Sequence, residues 1–219
     1  MPSDYADIPA EADVDVSELE LATASATASS ADEPSPRRSR LRRLAEHDAR
    51  LLERMERMRR SWATPVMKVL TFLGNTEVWL VHALVLVTIY GWSNPLGTRV
   101  VSLAILGAVL ATVAGQILKR TCKRARPSVS IDGFAALRED PDAFSFPSGH
   151  TAAAFAVAVS VSQEGDIIAA FEMSLAVGIG FSRLYLGAHY PLDVIIGAVL
   201  GVLCGLASRA LLLGTGIFG

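Results

Sequence analysis

Three groups of polar residues, each at the end of an apolar stretch, carry residue types that can bind an anion and transfer protons. The groups are Lys119 with Arg126 and Pro127, then Pro147 to His150 (Pro-Ser-Gly-His), and then Ser182, Arg183, His189 and Asp193. Together they supply two histidines, a carboxylate, a lysine and two arginines. Such a set can hold a multiply charged anion and perform nucleophilic and acid–base chemistry on it.

The cationic members of the set favour a phosphate group as the ligand. Lys119, Arg126 and Arg183 provide positive charge, and the planar fork of arginine matches phosphate oxygens. Ser148 and Gly149 are predicted to begin a helix, where free backbone N–H groups and the helix dipole favour an anion. A phosphate fits this site better than a carboxylate does.

The two histidines and the aspartate predict a covalent mechanism. His189 and Asp193 are four residues apart, which on a helix places them on one face. The carboxylate can then accept from one ring nitrogen and leave the other as a nucleophile, while His150 donates a proton to the leaving oxygen. The result is two displacements: His189 attacks phosphorus, and water then attacks the phosphohistidine with His150 as base. This chemistry needs no metal and no other cofactor.

Each group also has a purely structural interpretation. The basic run from Lys119 to Arg126 is typical of the cytoplasmic flank of a membrane span. Pro147 to Gly149 is also a common helix start, and a His–Asp pair four residues apart is a common helix contact. The joint occurrence of the three groups favours the catalytic interpretation.

Apolar stretches after about residue 65 are long enough to cross a bilayer and predict about five spanning helices. They cover 76–90, 100–118, 151–162, 167–181 and 190–213, after a short amphipathic piece over 65–73 that Gly74 and Asn75 end. We therefore predict an all-α integral membrane helical bundle, with the three polar groups on one side of the membrane. For the intramembrane residues His82 and Glu172 we predict structural roles, facing another helix or an interface.

The N-terminal part of the chain differs in composition. Residues 1–33 hold nine acidic residues and no Lys or Arg, whereas the remainder has a net charge of +7, so 1–36 is predicted to be a disordered acidic tail. Residues 37–61 hold ten arginines, with Leu and Met at helical spacing. This predicts a basic amphipathic helix on anionic lipids; a solvated helix packed against the core is the alternative, and nucleic-acid binding is disfavoured. Residues 62–219 are predicted to form the membrane domain.

The three groups resemble the site of the type 2 phosphatidic acid phosphatase (PAP2) superfamily, which is shared with vanadium haloperoxidases and glucose-6-phosphatase. The family pattern is Lys, six residues, Arg-Pro; Pro-Ser-Gly-His; and Ser-Arg, five residues, His, three residues, Asp. It occurs here over 119–127, 147–150 and 182–193. The resemblance covers about residues 62–213 and implies a helical membrane bundle.

By the same match, the resemblance implies a role for each site residue. The implied phosphate-binding residues are Lys119, Arg126, Ser148, Gly149 and Arg183. His150 is implied as the acid and base, His189 as the nucleophile and Asp193 as its orienting partner. A loop over 128–146, with Phe134, Leu137, Phe144 and Phe146, is expected to line the entrance.

The expected activity is hydrolysis of lipid phosphate or diphosphate monoesters by a membrane phosphatase. Many bacterial members have an additional span where this chain has its arginine-rich segment. The architecture is similar to that of presqualene-diphosphate-phosphatase-type members, so a polyisoprenyl diphosphate is favoured over phosphatidic acid or phosphatidylglycerol phosphate. A phosphotransferase using the same site, or a non-catalytic binder of anionic lipids, remains an alternative. The positive-inside rule predicts that the N-terminus and the site lie in the cytoplasm. The sequence predicts no particular oligomeric state.

Overall fold

The computed structural model describes residues 36–90, 95–138, 140, 142–162 and 166–214. Eight helices make up most of this part of the chain: α1 (Pro36–Arg57), α2 (Ala63–Leu73), α3 (Thr76–Tyr90), α4 (Pro95–Cys122), α5 (Pro127–Ser130), α6 (Gly149–Ser160), α7 (Asp166–Tyr185) and α8 (Pro191–Gly214). Within these ranges no strand forms, and one isolated bridge joins Ala125 to Phe144. The predicted all-α fold is confirmed. The predicted tail, except for Pro36, lies outside the described residues.

The chain divides into two compact units, one that ends at Leu44 and a larger one that begins at Ala45, and residues of helix α1 belong to both. In the larger unit, Leu52 of α1 is fully buried and packs with Phe134 and Tyr190. This half of α1 therefore packs against protein, as in the alternative interpretation of residues 37–61. The prediction that Phe134 lines an entrance is wrong, because its ring fills this contact instead.

Helices α4 and α8 have the length and apolarity of membrane spans. The segments Gly97–Cys122 and Pro191–Leu212 are each long and apolar enough to cross a bilayer. Half-exposed aliphatic side chains recur every four residues along α4, at Ile105, Val109, Val113 and Ile117. An apolar stripe of this kind suits lipid rather than water. The total of about five spans stays a prediction.

Helix α6 lies at the centre of the bundle, in contact with α4, α7 and α8. Its sequence suits this position because small side chains let neighbouring helices approach closely: Ala152, Ala154, Ala156 and Ala158 are all buried. Helix α8 contributes glycines at four-residue spacing on the facing side. A Cβ atom added at Gly197 or Gly205 would lie 2.7 Å from the carbonyl oxygen of Ser148 or Ala156.

We expect Gly201→Ala to destabilise the protein by about 1–3 kcal/mol, the usual cost of overpacking a close contact. The added methyl group would overlap the Ala152 carbonyl oxygen and lie 2.7 Å from Cβ of Phe155. Gly115→Ala is the matched control, since a Cβ atom there has no heavy atom within 4 Å and alanine favours a helix. Thermal unfolding in detergent measures both. Wild-type stability of Gly201→Ala would contradict the close α6–α8 contact.

The two intramembrane residues outside the polar groups form a pair with each other. Nε2 of His82 on α3 lies 2.7 Å from Oε1 of Glu172 on α7, and the His82 ring stacks on Trp79 with a centroid distance of 5.2 Å. A buried carboxylate away from water needs such a partner. The prediction that each side chain faces another helix is confirmed.

Candidate active site

The three polar groups meet at a cavity of about 620 Å³ between α3, α4 and α6. Five of the predicted site residues line its polar end: Lys119, Arg126, Gly149, His150 and His189. The rest of the wall is mostly apolar and comes from α3, α4 and α6, including Trp79, Ala104, Val109, Val113 and Val157. The cavity therefore joins a charged end to an apolar slot among the helices.

The other three predicted residues, Arg183, Ser148 and Asp193, are fully buried and do not line the cavity. Arg183 reaches toward it from α7 and donates from Nη1 to Thr71 Oγ1 at 2.7 Å. Ser148 makes its hydrogen bonds within the protein: its hydroxyl shares one with Thr151 Oγ1 at 2.9 Å, and its backbone N–H donates to the Asp193 carbonyl at 3.0 Å. In this conformation Ser148 joins α6 to α8, and its role as a phosphate ligand stays a prediction.

The predicted phosphate-binding cations are paired with two carboxylates of the loop before α6. Asp140 accepts from Arg126 at 3.0 Å and also from Arg183, and Asp142 accepts from Lys119. Burial by itself would raise the pKa of Asp140, but the guanidinium groups of Arg183 and Arg126 outweigh it and hold that pKa below its usual range. The carboxylate of Asp140 therefore lies, ionised, between the two guanidinium groups predicted to hold a phosphate.

His189 precedes α8 and does not lie on it, because Pro191 is the first residue of that helix. The premise that His189 and Asp193 share a helix face is therefore wrong. The two side chains are nevertheless neighbours, with His189 Nδ1 3.7 Å from Asp193 Oδ2. This distance exceeds a hydrogen bond, and Nδ1 is buried without a hydrogen-bond partner among the described residues, so Asp193 Oδ2 is an acceptor close to it.

Burial lowers the pKa of His189 to about 4, against the opposing effect of the Asp193 carboxylate. The imidazole is therefore neutral at physiological pH and keeps a lone pair on one ring nitrogen. With Nδ1 directed at Asp193, that nitrogen is Nε2.

His150 is positioned by residues that the sequence marks only as the end of a helix. Its Nε2 donates to the side-chain oxygen of Asn75 at 3.0 Å, just after α2. A Cβ atom at Gly74 would lie 2.9 Å from His150 Cδ2, so only glycine lets the ring pack this closely. Gly74 and Asn75 therefore help to fix the orientation of His150.

Four residues of the site were missed by sequence reasoning: Thr71, Asn75, Asp140 and Asp142. The signal for the two aspartates was available, because an acidic run (Glu139, Asp140, Asp142) precedes the Pro-Ser-Gly-His group by a few residues. Thr71 carries no comparable signal, since its contact with Arg183 depends on how α2 packs against α7.

A helical membrane bundle whose cations and histidines close one end of an apolar cavity has the features of an enzyme that acts on lipid headgroups. The profile of the PAP2 superfamily matches residues 100–214, which is more than half of the chain. The chain belongs to the PAP2 superfamily.

Solved and curated proteins agree with this assignment. The crystal structure of Aquifex aeolicus LpxE superposes with a TM-score of 0.64 at 30% identity, covering 73% of this chain and 92% of that one. The transmembrane PAP2 type phosphatidylglycerolphosphate phosphatase from Bacillus subtilis gives a TM-score of 0.64 at 25% identity, over 77% of this chain and 85% of that one. The prediction of a membrane helical bundle is thereby confirmed.

Several curated relatives are named for polyprenyl lipids. The undecaprenyl-diphosphatase of Sulfolobus acidocaldarius is 32% identical over 141 residues, which cover 62% of this chain and 64% of that protein. The decaprenylphosphoryl-5-phosphoribose phosphatase of Mycolicibacterium smegmatis is 40% identical over 91 residues, covering 42% and 48%. The chain thus spans between about half and two thirds of the length of these relatives.

Proposed function

We propose that the protein is a membrane phosphatase that hydrolyses lipid phosphate or diphosphate monoesters through a phosphohistidine. One observation carries this proposal: two histidines and two of the predicted phosphate-binding cations line the polar end of a cavity whose other walls are apolar. A lipid with its headgroup at the polar end and its tail along α4 would match both parts.

The proposed roles combine the sequence motif with the placement of both histidines at the cavity. His189 attacks phosphorus from Nε2, with Asp193 accepting from Nδ1 and stabilising the positive charge that develops on the ring. As the imidazolium, His150 donates one proton to the leaving oxygen. The neutral ring that results then takes a proton from the attacking water, which releases inorganic phosphate and frees His189. Lys119, Arg126 and Arg183, with the backbone at Ser148 and Gly149, stabilise the charge on the equatorial oxygens.

A polyisoprenyl diphosphate is the favoured substrate. The names of the undecaprenyl-diphosphatase and the decaprenylphosphoryl-5-phosphoribose phosphatase support it, as does the aliphatic lining of the slot. Phosphatidylglycerol phosphate and phosphatidic acid are the alternatives, and a phosphatidylglycerophosphatase B is among the relatives, at 27% identity.

The test is phosphate release in detergent, with EDTA present, from a panel of these lipids. Release that persists in EDTA and is fastest with a polyisoprenyl diphosphate is the expected result. Release that requires an added metal would contradict the metal-independent mechanism. No release from any lipid by folded protein would favour a non-catalytic binder of anionic lipids.

Removal of the Asp140 carboxylate should strengthen phosphate binding. We expect Asp140→Asn to lower the inhibition constant of inorganic phosphate about tenfold, which corresponds to about 1.4 kcal/mol, because Arg126 and Arg183 lose a competing anion. Competitive inhibition of lipid hydrolysis measures the constant. Asp132→Asn is the matched control, since Asp132 is an exposed aspartate of the same loop. Unchanged or weaker inhibition in Asp140→Asn would mean that Asp140 supports the cations and does not compete with phosphate.

The pH dependence of turnover should reflect the buried His189. Because its pKa is lowered to about 4, the ring is neutral above that pH and loses its nucleophilic lone pair only below it. We expect the acid limb of kcat/KM that belongs to the enzyme to fall near pH 4, well below the usual histidine value of about 6.5. The substrate phosphate also loses its second proton near pH 6. This ionisation is titrated separately, and the kcat/KM profile is corrected for it. An enzyme limb near 6.5 would contradict a buried neutral nucleophile.

The orientation and N-terminal organisation also belong to this proposal. In this proposal, residues 1–36 are the acidic tail, 37–61 are the basic segment that contains α1 up to Arg57 and meets anionic lipids, and 62–219 are the catalytic membrane domain. The excess of arginine in 37–61 supports a cytoplasmic N-terminus and active site. Labelling of a cysteine placed at position 40 only from outside the cell would overturn this orientation.

A further inference from the structure

Helix α1 reaches the proposed active site through one buried carboxylate. Asp48 is 5% exposed, although the helix is rich in arginine and mostly exposed around it. Its Oδ2 accepts from Arg124 Nη2 at 2.6 Å, and its Oδ1 accepts from the backbone N–H of Leu192 at 2.9 Å. The second contact satisfies one of the free N–H groups in the first turn of α8. Asp48 lies outside the segment that the family profile matches.

Arg124 joins Asp48 to the aspartate beside His189. Its Nη1 donates to Asp193 Oδ1 at 2.7 Å while its Nη2 holds Asp48. The guanidinium carbon also lies 3.9 Å from the ring centroid of Tyr190, a cation–π distance. The guanidinium group is thus held by two carboxylates and one aromatic ring, which leaves it little freedom to move.

These contacts determine how the Asp193 carboxylate faces His189. With Oδ1 held by Arg124, Oδ2 is the oxygen that accepts from the Tyr190 N–H at 3.0 Å and lies 3.7 Å from His189 Nδ1. A carboxylate free to rotate would present neither oxygen consistently. Groups behind a catalytic or metal-binding histidine often set its orientation and tautomer in this way.

We propose that Asp48 is a positioning residue for the reaction: through Arg124 it fixes the Asp193 carboxylate, and through Leu192 it fixes the first turn of α8. This inference rests on the proposed function, and it makes α1 part of the active-site support as well as a segment at the membrane surface. Asp48 contacts neither the cavity nor a reacting atom, so its effect is on the rate of the chemical step and not on substrate binding.

The experiment compares Asp48→Asn with Glu46→Gln, a matched control. Glu46 is an acidic residue two positions away on the same helix, in an exposed ion pair with Arg50 at 3.6 Å, and exposed pairs of this kind contribute little. Single-turnover rate constants are measured with enzyme at saturating excess over radiolabelled lipid phosphate, because at saturation the rate constant does not depend on the fraction of folded enzyme. KM and thermal unfolding in detergent are measured in parallel.

We expect Asp48→Asn to slow the single-turnover step about tenfold while KM stays within about twofold of wild type. This pattern is typical of an interaction that acts mainly in the transition state. Glu46→Gln should keep the wild-type rate and KM. A double-mutant cycle with Arg124→Gln should be strongly non-additive, because both residues act through Asp193. Arg124→Lys keeps the charge without the fork, so it should show the same loss of rate with an unchanged KM even if Asp48→Asn does not fold.

A wild-type single-turnover rate in Asp48→Asn, or in Arg124→Lys, would overturn the proposal even if unfolding occurs at a lower temperature. Additive effects in the cycle would also overturn it. An inactive wild-type enzyme would overturn the proposed function together with this inference. A different result would overturn this inference alone: the wild type is active, His189→Ala abolishes the activity, and both Asp48→Asn and Arg124→Lys keep the wild-type rate.

Discussion

Replacing His189 by alanine is expected to abolish phosphate release, with a fall in kcat of about 10⁴-fold or more. The variant lacks the atom proposed to form the bond to phosphorus, and loss of a covalent nucleophile removes the whole two-step route. His189 is buried against Asp193 at the polar end of the cavity, and His150, the other histidine there, is proposed as the acid and base. Phosphate release from the preferred lipid measures kcat.

The matched control is His47→Ala, which removes an exposed histidine from α1 and should keep wild-type turnover. Folding is checked by thermal unfolding in detergent. A second measurement asks for the intermediate itself: radiolabel from the lipid should be trapped on wild-type protein in an alkaline quench and be absent from His189→Ala. Substantial turnover by a folded His189→Ala variant would show that the covalent route is wrong.

Replacing His150 by alanine should produce a loss that depends on the leaving group. General acid–base catalysis contributes about 10²- to 10⁴-fold, and an alcohol leaving from a monoester needs the full proton transfer. The lipid phosphate leaving from a diphosphate is far less basic, because its second pKa is about 6. We therefore expect His150→Ala to stop monoester cleavage in the first step but to let a diphosphate phosphorylate His189.

The phosphohistidine should then accumulate, because the same residue is the base for the attacking water. Radiolabel trapped from a diphosphate labelled at its terminal phosphate, compared with a labelled monoester, measures this difference. His150→Gln is the control for shape and hydrogen bonding to Asn75, and it should behave as His150→Ala does. Equal slowing of the first step with both substrates would exclude His150 as the acid.

The long apolar helices and the set of chemical groups could be predicted from the sequence alone. The apolar stretch over 76–90 corresponds to α3 (Thr76–Tyr90), and the stretch over 190–213 differs from α8 (Pro191–Gly214) by one residue at each end. This is possible because hydropathy and breakers such as Gly74 are local properties of the chain. The prediction that the three polar groups lie together agrees with the cavity that members of each group line.

The contacts that orient these groups could not be predicted from the sequence, because they form between elements that are distant along the chain. The sequence placed His189 on a helix with Asp193, whereas Pro191 begins α8 and the pair instead meets across the turn that precedes it. Asp140 contacts Arg183, 43 residues away, and Asp48 contacts Arg124, 76 residues away. Which carboxylate reaches which guanidinium depends on how α1, the loop before α6 and the ends of α7 and α8 pack together. Such pairings between distant residues leave no local pattern in the chain, because each carboxylate alone would satisfy any of several arginines.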